Sequence, residues 1–295
     1  MKPLADWPVE QRRNIIGVFT DIDDTLTTHG RITPEALQAL VDLKAAGLHV
    51  IPITGRPVGW SEPFAKTWPV DAMVVENGAV ALQMVNQQQG QTDRDKNICQ
   101  IGLQPAYLLP KVLSKVYQTD SQTRVSNQAK MALIAKQVMT NIPSAVLSGD
   151  SSGRETDLAF DYKEFENLAP EVVQQIVAQL QSHGMETSVS SIHIHGCFGR
   201  FDKWTGAQWI VRELFKRELA AELNQWVFVG DSGNDQAMFQ HFKHSVGVAN
   251  IKDYAAQMSY LPGYITQASR GAGFAEMAQA VLSSVEDTKT MVKIK

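Results

Sequence analysis

The sequence predicts an α/β protein: a doubly wound parallel sheet, split along the chain, with an α+β domain inserted into it. Three observations predict this. Short apolar runs at residues 15–20 (IIGVFT), 48–53 and 226–229 read as strands buried on both faces, and helical patterns separate them. Between about residues 84 and 197 the style changes to alternating strands with one polar face. From about residue 205 the first style returns. The expected domains are therefore residues 1–83 with 198–295 as the core, and 84–197 as the insert.

The elements follow in order. After the first strand, Thr33 and Pro34 open a helix as N-cap and first helical residue, Leu37, Leu40, Val41 and Leu43 form its apolar face, and Gly47 ends it. A second strand follows at 48–53, so the unit is strand–helix–strand with a right-handed crossover. A third strand at 71–75 ends in Glu76-Asn77-Gly78, a strong hairpin-turn signal. Residues 83–97 are polar and Gln-rich and read as a loop or boundary. Residues 105–142 read as helical and amphipathic. Residues 156–162 alternate, Pro170 opens a helix through His183, and residues 187–196 alternate again. These read as an open-faced sheet with helices on its other side. A helix at 206–216, the strand at 226–229, a helix at 236–242 and a strand at 245–249 complete the core.

Composition narrows the function. The chain has 295 residues, 44% hydrophobic and 20% charged, with a net charge of −4. That is ordinary globular composition for about two domains, and it disfavours a nucleic-acid binder, which would be basic. The polar residues 1–14 lack the apolar region of a signal peptide, and no window approaches a membrane span. A cytoplasmic protein is expected, with no membrane and no nucleic-acid partner. Cys99 and Cys197 are too few for a disulfide framework or a four-cysteine zinc site, and read as incidental thiols.

The carboxylates carry the chemistry. Asp21 and Asp23 follow the first strand. In extended backbone, residues i and i+2 point the same way, roughly 7 Å apart, here beyond the carboxyl end of a parallel strand. Two like charges held there need a cation, or one must hold a proton. Asp24 and Thr25 suit an ordinary turn or cap equally well. The second strand ends in Thr54-Gly55-Arg56, whose hydroxyl and N–H groups suit a phosphate oxygen, or a plain helix N-cap. The strand at 226–229 ends in GDSGND, where Asp231 and Asp235 offer hard oxygen ligands. Lys203 precedes a helix between the latter two segments.

Together DIDDTLT, ITGR, the Lys of FDKWTGA and VGDSGND resemble, in order, the four motifs of the haloacid dehalogenase superfamily of phosphohydrolases. The resemblance covers about residues 15–80 and 196–282. An insert between the second and third motifs is similar to the class with a large α/β cap, the Cof-like members, as are VENGA and SVGVAN. FGRFDKWTGA and GAGFAE look most like the sucrose-phosphate and mannosyl-3-phosphoglycerate phosphatases.

The resemblance implies a Rossmann-like core and a Mg²⁺-dependent phosphatase acting on a small phosphomonoester, a sugar phosphate or phosphoglycerate derivative. Asp21 is the implied nucleophile, forming an aspartyl-phosphate, and Asp23 the acid/base. Asp21, the Asp23 carbonyl and Asp231 would hold Mg²⁺, with Asp235 either a direct ligand or one shell behind. Thr54, the Gly55 N–H, Lys203 and Asn234 would hold the phosphoryl oxygens. Asp24 stands where many members carry glycine. The alternatives are a phosphosugar mutase and a non-enzymatic sugar-phosphate sensor; a signalling receiver fits poorly, because receivers carry no insert. A monomer or homodimer is expected.

In the insert, His193 and His195 fall on one face of the last strand and read as solvated sheet residues, outside the site. Trp204 and Trp209 read as helix packing, and Trp60 as a residue near the cleft mouth.

Overall fold

The computed structural model describes residues 1–86 and 110–293, with side chains through residue 284. Cys99 and the Gln-rich stretch from residue 87 onward lie outside the described residues.

The chain opens with strand β1 (Lys2–Pro3) and helix α1 (Val9–Arg12), then enters the sheet at β2 (Gly17–Thr20). A small hairpin of β3 (Thr27–Thr28) and β4 (Arg31–Ile32) follows, then helix α2 (Pro34–Ala45). Ala36 N–H donates to the Thr33 hydroxyl at 3.4 Å, the expected cap. The buried stripe of α2 is Ala36, Ala39, Leu40 and Leu43, whereas Leu37 and Val41 are exposed. The expected apolar face is therefore rotated: small alanines face the core because α2 packs closely on the sheet and the last helix. Gly47 turns the chain at φ +90° into β5 (His49–Pro52).

Helix α3 (Val58–Thr67) leads to β6 (Met73–Val75), β7 (Val80–Asn86) and β8 (Lys111–Tyr117). These three form an antiparallel sheet joined to the core by a parallel bridge between Ile53 and Val74. Here the structure corrects the helical reading of residues 105–142. Residues 111–117 are a strand paired along the full length of β7, and the helix α4 (Ser121–Asn141) begins only after Asp120 caps it. The segment KVLSKVY has apolar spacing that suits either element, and its β-branched residues and the waiting edge of β7 decide the outcome.

The next unit contains α4, β9 (Val146–Leu147), β10 (Asp157–Asp161), α5 (Pro170–Ser182), β11 (Glu186–Val189) and β12 (His193–Cys197). The alternating stretch 187–196 is thus a hairpin turning at residues 190–192. The four strands form an antiparallel sheet in the order β11-β12-β10-β9. Leu158, Phe160 and Ile194 pack on Ile134, Val138, Ile176 and Leu180 of the two helices. The other face carries Asp157, Asp161, His193 and His195. It is polar, as expected, but not wet: all four are buried, because this face lies on the core.

The chain returns through α6 (Lys203–Phe215), β13 (Trp226–Gly230), α7 (Gln236–His241), β14 (His244–Gly247), β15 (Tyr264–Ile265) and α8 (Arg270–Lys293). The core sheet runs β1-β15-β14-β13-β2-β5 with parallel pairing throughout. Alternate residues of its central strands face opposite layers. Val18, Val50, Val227 and Val229 meet α2 and α8. Phe19, Ile51 and Phe228 meet α6 and α7. The sheet is covered on both faces, the doubly wound arrangement that its unbroken apolar strands require.

Candidate active site

Three parallel strands deliver the motifs to one end of the sheet. Asp21 leaves β2 with its backbone N–H on the Val229 carbonyl at 2.8 Å, so ladder geometry fixes its position beside β13. Asp21 is 5% exposed. Thr54 and Gly55 follow β5, and Asp231 follows β13. Oxygens of Asp21, Asp231 and Asp235 all lie within 4.8 Å of one another.

Lys203 reaches this cluster from the first turn of α6. Asp202 caps that turn, accepting from the Thr205 N–H at 2.7 Å, while its own N–H donates to the Thr205 hydroxyl at 3.1 Å. The turn also packs on the Glu76–Gly78 segment without intervening side chains: a Cβ on Gly206 would lie 2.5 Å from the Gly78 Cα. So placed, Lys203 is fully buried and its Nζ donates to Asp21 and, at 2.6 Å, to Asp235. Burial works against its charge, but Asp21 and Asp235 more than offset this and hold its pKa above the ordinary lysine value.

Asp235 is committed elsewhere as well. Its Oδ2 accepts the Asp231 and Ser232 N–H groups at 2.8 and 3.0 Å. Both its oxygens therefore have protein donors. Asp231 accepts from Asn250 at 2.9 Å and from the Thr25 hydroxyl at 3.4 Å. Burial, and then the neighbouring carboxylates Asp21 and Asp235, raise its pKa well above the usual range. Burial likewise raises Asp21, with Lys203 opposing. Three carboxylates against one ammonium leave excess negative charge in a buried site, the donor set a divalent cation with oxygen preference fits.

Asp21, Asp23, Thr54, Gly55 and Asn234 line one small cavity above this cluster. The Thr54 hydroxyl accepts the Arg56 N–H at 3.0 Å, leaving its proton free to donate into the cavity. Gly55 admits no side chain: a Cβ there would lie 2.8 Å from His195 Nε2 and 3.2 Å from Asn77 Nδ2. Asn234 donates to Asn77 at 3.3 Å.

The cavity's roof comes from the β11–β12 hairpin: the 190–192 turn, His193 and His195. The reading of the two histidines as solvated is therefore corrected. They are 1% and 3% exposed and stand over the site. His195 contacts Asp157 at 3.2 Å, and burial followed by Arg154 holds its pKa well below the ordinary value. Arg56 also belongs here, with its guanidinium on both oxygens of Asp23 at 2.9–3.1 Å and its Cζ 4.9 Å from the Trp60 ring centroid. Trp60 thus lies at the site's edge, as expected. Trp204 stacks on His241 at 4.4 Å, a packing role.

Glu76 is the least foreseeable residue. It is 1% exposed, at φ +50°. It accepts from the Val58 N–H of the core (3.1 Å) and from the Glu155 N–H, Thr156 N–H and Thr156 hydroxyl of the insert (2.9, 2.6 and 2.5 Å). Arg154 adds a bond to the Gly55 carbonyl at 3.0 Å. The segment before β10 is thus pinned next to the Thr54-Gly55 turn. A second cluster, Asp161, Glu164 and His193, has metal-like spacing. Arg56 already sits on Glu164 at 2.8 Å and Asp161 accepts two backbone N–H groups, so this cluster carries its own cation.

The family model for haloacid dehalogenase-like hydrolases matches residues 18–276. The chain belongs to this family. No curated protein matches it significantly. Among solved structures, this haloacid dehalogenase-like hydrolase is similar to a Thermoplasma acidophilum protein, with TM-score 0.62 and 17% identity over 90% of this chain and 98% of that one. It is also similar to the sucrose-phosphatase of Synechocystis sp. PCC6803, solved with sucrose and phosphate (TM-score 0.59, 16% identity, 92% and 98% covered). A third is the C-terminal domain of the C. albicans trehalose-6-phosphate phosphatase (TM-score 0.63, 12% identity, 96% and 98% covered). At these identities the shared property is the fold. Among the described residues no helix is long and apolar enough to cross a membrane.

Proposed function

We propose that this hydrolase is a Mg²⁺-dependent phosphatase of small phosphomonoesters, a sugar phosphate or phosphoglycerate derivative. The observation that carries the reading is Asp21: a buried carboxylate at the end of β2, paired with Lys203 and flanked by Asp231 and Asp235. Lys203 opposes the effect of burial and so favours the ionised Asp21 carboxylate that can attack phosphorus.

Asp21 attacks phosphorus, and the bond to the leaving oxygen breaks. Asp23 supplies the proton that oxygen needs. In the second step Asp23 takes a proton from water, which attacks the aspartyl-phosphate, releasing phosphate and regenerating Asp21. The Thr54 hydroxyl, the Gly55 N–H and the Asn234 amide bind the phosphoryl oxygens, and Lys203 offsets the charge that gathers on Asp21. Asp21, the Asp23 carbonyl and Asp231 would hold Mg²⁺, which when bound screens the phosphoryl charge from the carboxylates. Asp235, with both oxygens engaged, orients Lys203 and the Asp231 loop rather than binding metal.

Within the expected insert of residues 84–197, the α4–β12 unit serves as the cap, whereas β8 pairs with β7 beside the core. The roof combines the Ser190 and Ser191 hydroxyls with Ile192 and leaves little room, which suits a small hydroxylated leaving group. The test is phosphate release from a panel of sugar phosphates, phosphoglycerates, nucleotides and an aryl phosphate. Free phosphate with dephosphorylated product is expected. An isomeric phosphate ester as product, or binding without turnover, would overturn the reading.

A further inference from the structure

The inserted domain touches the acid/base through one side chain, Arg56. Its guanidinium has five N–H donors and uses all of them. Nε and Nη2 hold Asp23 of the core. The remaining donors go to the other domain: Nη2 to Glu164 Oε1 at 2.8 Å, and Nη1 to Glu164 Oε2 at 3.4 Å and to Asp150 at 3.3 Å. Arg56 is 7% exposed, and Trp60 backs it on its open side.

The carboxylates it meets are themselves held. His193 Nε2 lies 2.8 Å from Glu164 Oε2. The Glu164 N–H and Phe165 N–H bond to Asp161 at 2.9 and 3.0 Å, fixing the turn after β10 that carries Glu164. Asp150 accepts from Ser148 at 2.7 Å and from Arg154 at 3.0 Å. The cap therefore presents a rigid half-cage, and the core supplies the arginine that fills it.

We propose that Glu164, oriented by His193, is a positioning residue that latches the cap onto Arg56 and thereby fixes the Asp23 carboxylate for proton transfer. This rests on the reading of Asp23 as acid/base. With the cap away, Arg56 keeps only Asp23 and Trp60, and two flexible side chains regain their rotamers. With the cap down, a planar fork held on all edges leaves Asp23 one orientation. Closure and acid/base alignment then share one coupling, and each favours the other.

The latch differs from a merely structural ion pair in what it moves. An alkoxide leaving group needs a proton, whereas a phenolate of low basicity needs almost none. In the full chain with Mg²⁺, Glu164→Gln lowers kcat on glycerol phosphate about tenfold and on p-nitrophenyl phosphate less than about threefold. Glu164→Asp falls between wild type and Glu164→Gln. In an Arg56→Lys background, Glu164→Gln adds less than about a twofold further loss. Equal losses on both esters, or an effect of Glu164→Gln that ignores Arg56, overturns the proposal. A second readout needs no turnover: spin labels at the exposed Val41 of α2 and Val125 of α4 report the distance between core and cap. Glu164→Gln shifts the population to longer distances, and an unchanged distribution overturns the latch. If wild type hydrolyses neither ester, the phosphatase reading fails, and the distance distribution alone judges the latch.

Discussion

Lys203 and Asp21 form a buried ion pair between residues 182 positions apart in the chain. The pair joins the first turn of α6 to the end of β2, and its surroundings hold two further carboxylates. Asp21→Asn keeps the volume and the Lys203 contact but cannot attack phosphorus. Phosphate release should fall by at least about a thousandfold, with an unchanged circular dichroism spectrum. A variant keeping more than about a tenth of wild-type kcat would contradict the nucleophile assignment. Since Asp21 is crowded by like charges, the same variant in chelator at neutral pH should lose no thermal stability.

The metal prediction follows from the excess charge around Asp231. Chelation should stop turnover, and Mg²⁺ should restore it better than Ca²⁺, whose looser, larger shell suits the in-line displacement less well. Mg²⁺ should also raise the unfolding midpoint, by about 3 kcal/mol of stability at a hundredfold excess over its Kd. Asp231→Asn should abolish that increment. Full activity after exhaustive chelation would refute the assignment.

A stability prediction concerns Gly17, which pairs with Trp226 across the two central strands. A Cβ at Gly17 would lie 2.2–2.7 Å from three atoms of the Trp226 ring. That ring is fully buried against Phe19 and His49, with centroids at 5.3 and 5.9 Å, so it has nowhere to go. Gly17→Ala should cost about 1–3 kcal/mol or more in denaturant unfolding. A loss below about 0.5 kcal/mol would show that the packing there yields.

Glu76 sets a pH dependence. Burial, reinforced by Asp157, raises its pKa from 4.5 to about 7 despite its four donors. A carboxyl whose folded pKa lies above its unfolded value binds more protons when folded. Its contribution is present below the unfolded value and is lost as pH rises through the folded one. Glu76→Gln cannot ionise. The stability advantage of wild type over Glu76→Gln should therefore shrink between about pH 5 and pH 7.5, measured by urea unfolding in chelator. An advantage that grows with pH would contradict this.

The parts of the site that sit at strand ends were readable because they depend on short-range order. An apolar run followed by Asp-x-Asp, Thr-Gly or Gly-Asp places its polar residues at the carboxyl edge whatever the rest of the chain does. What covers a polar face is not local. His193 and His195 alternate like solvated sheet residues, and only the docking of the cap turns them into a roof. Arg56 lies in the ITGR segment, but its partners Glu164 and Asp150 are some hundred residues away in the chain. Strand β8 is not legible locally, because its apolar residues satisfy both helical and extended spacing until the edge of β7 selects one. Glu76 follows a strand as an ordinary turn residue, and its role appears only when Thr156 is brought against it.

The most direct test of the account is to quench the enzyme in acid during steady turnover with Mg²⁺ and reduce it with borohydride, which converts an acyl phosphate to the corresponding alcohol. Peptide mass spectrometry should then find homoserine at position 21 in wild type, and none in Asp21→Asn. Phosphate release with position 21 unmodified, or homoserine found at another aspartate instead, would contradict it.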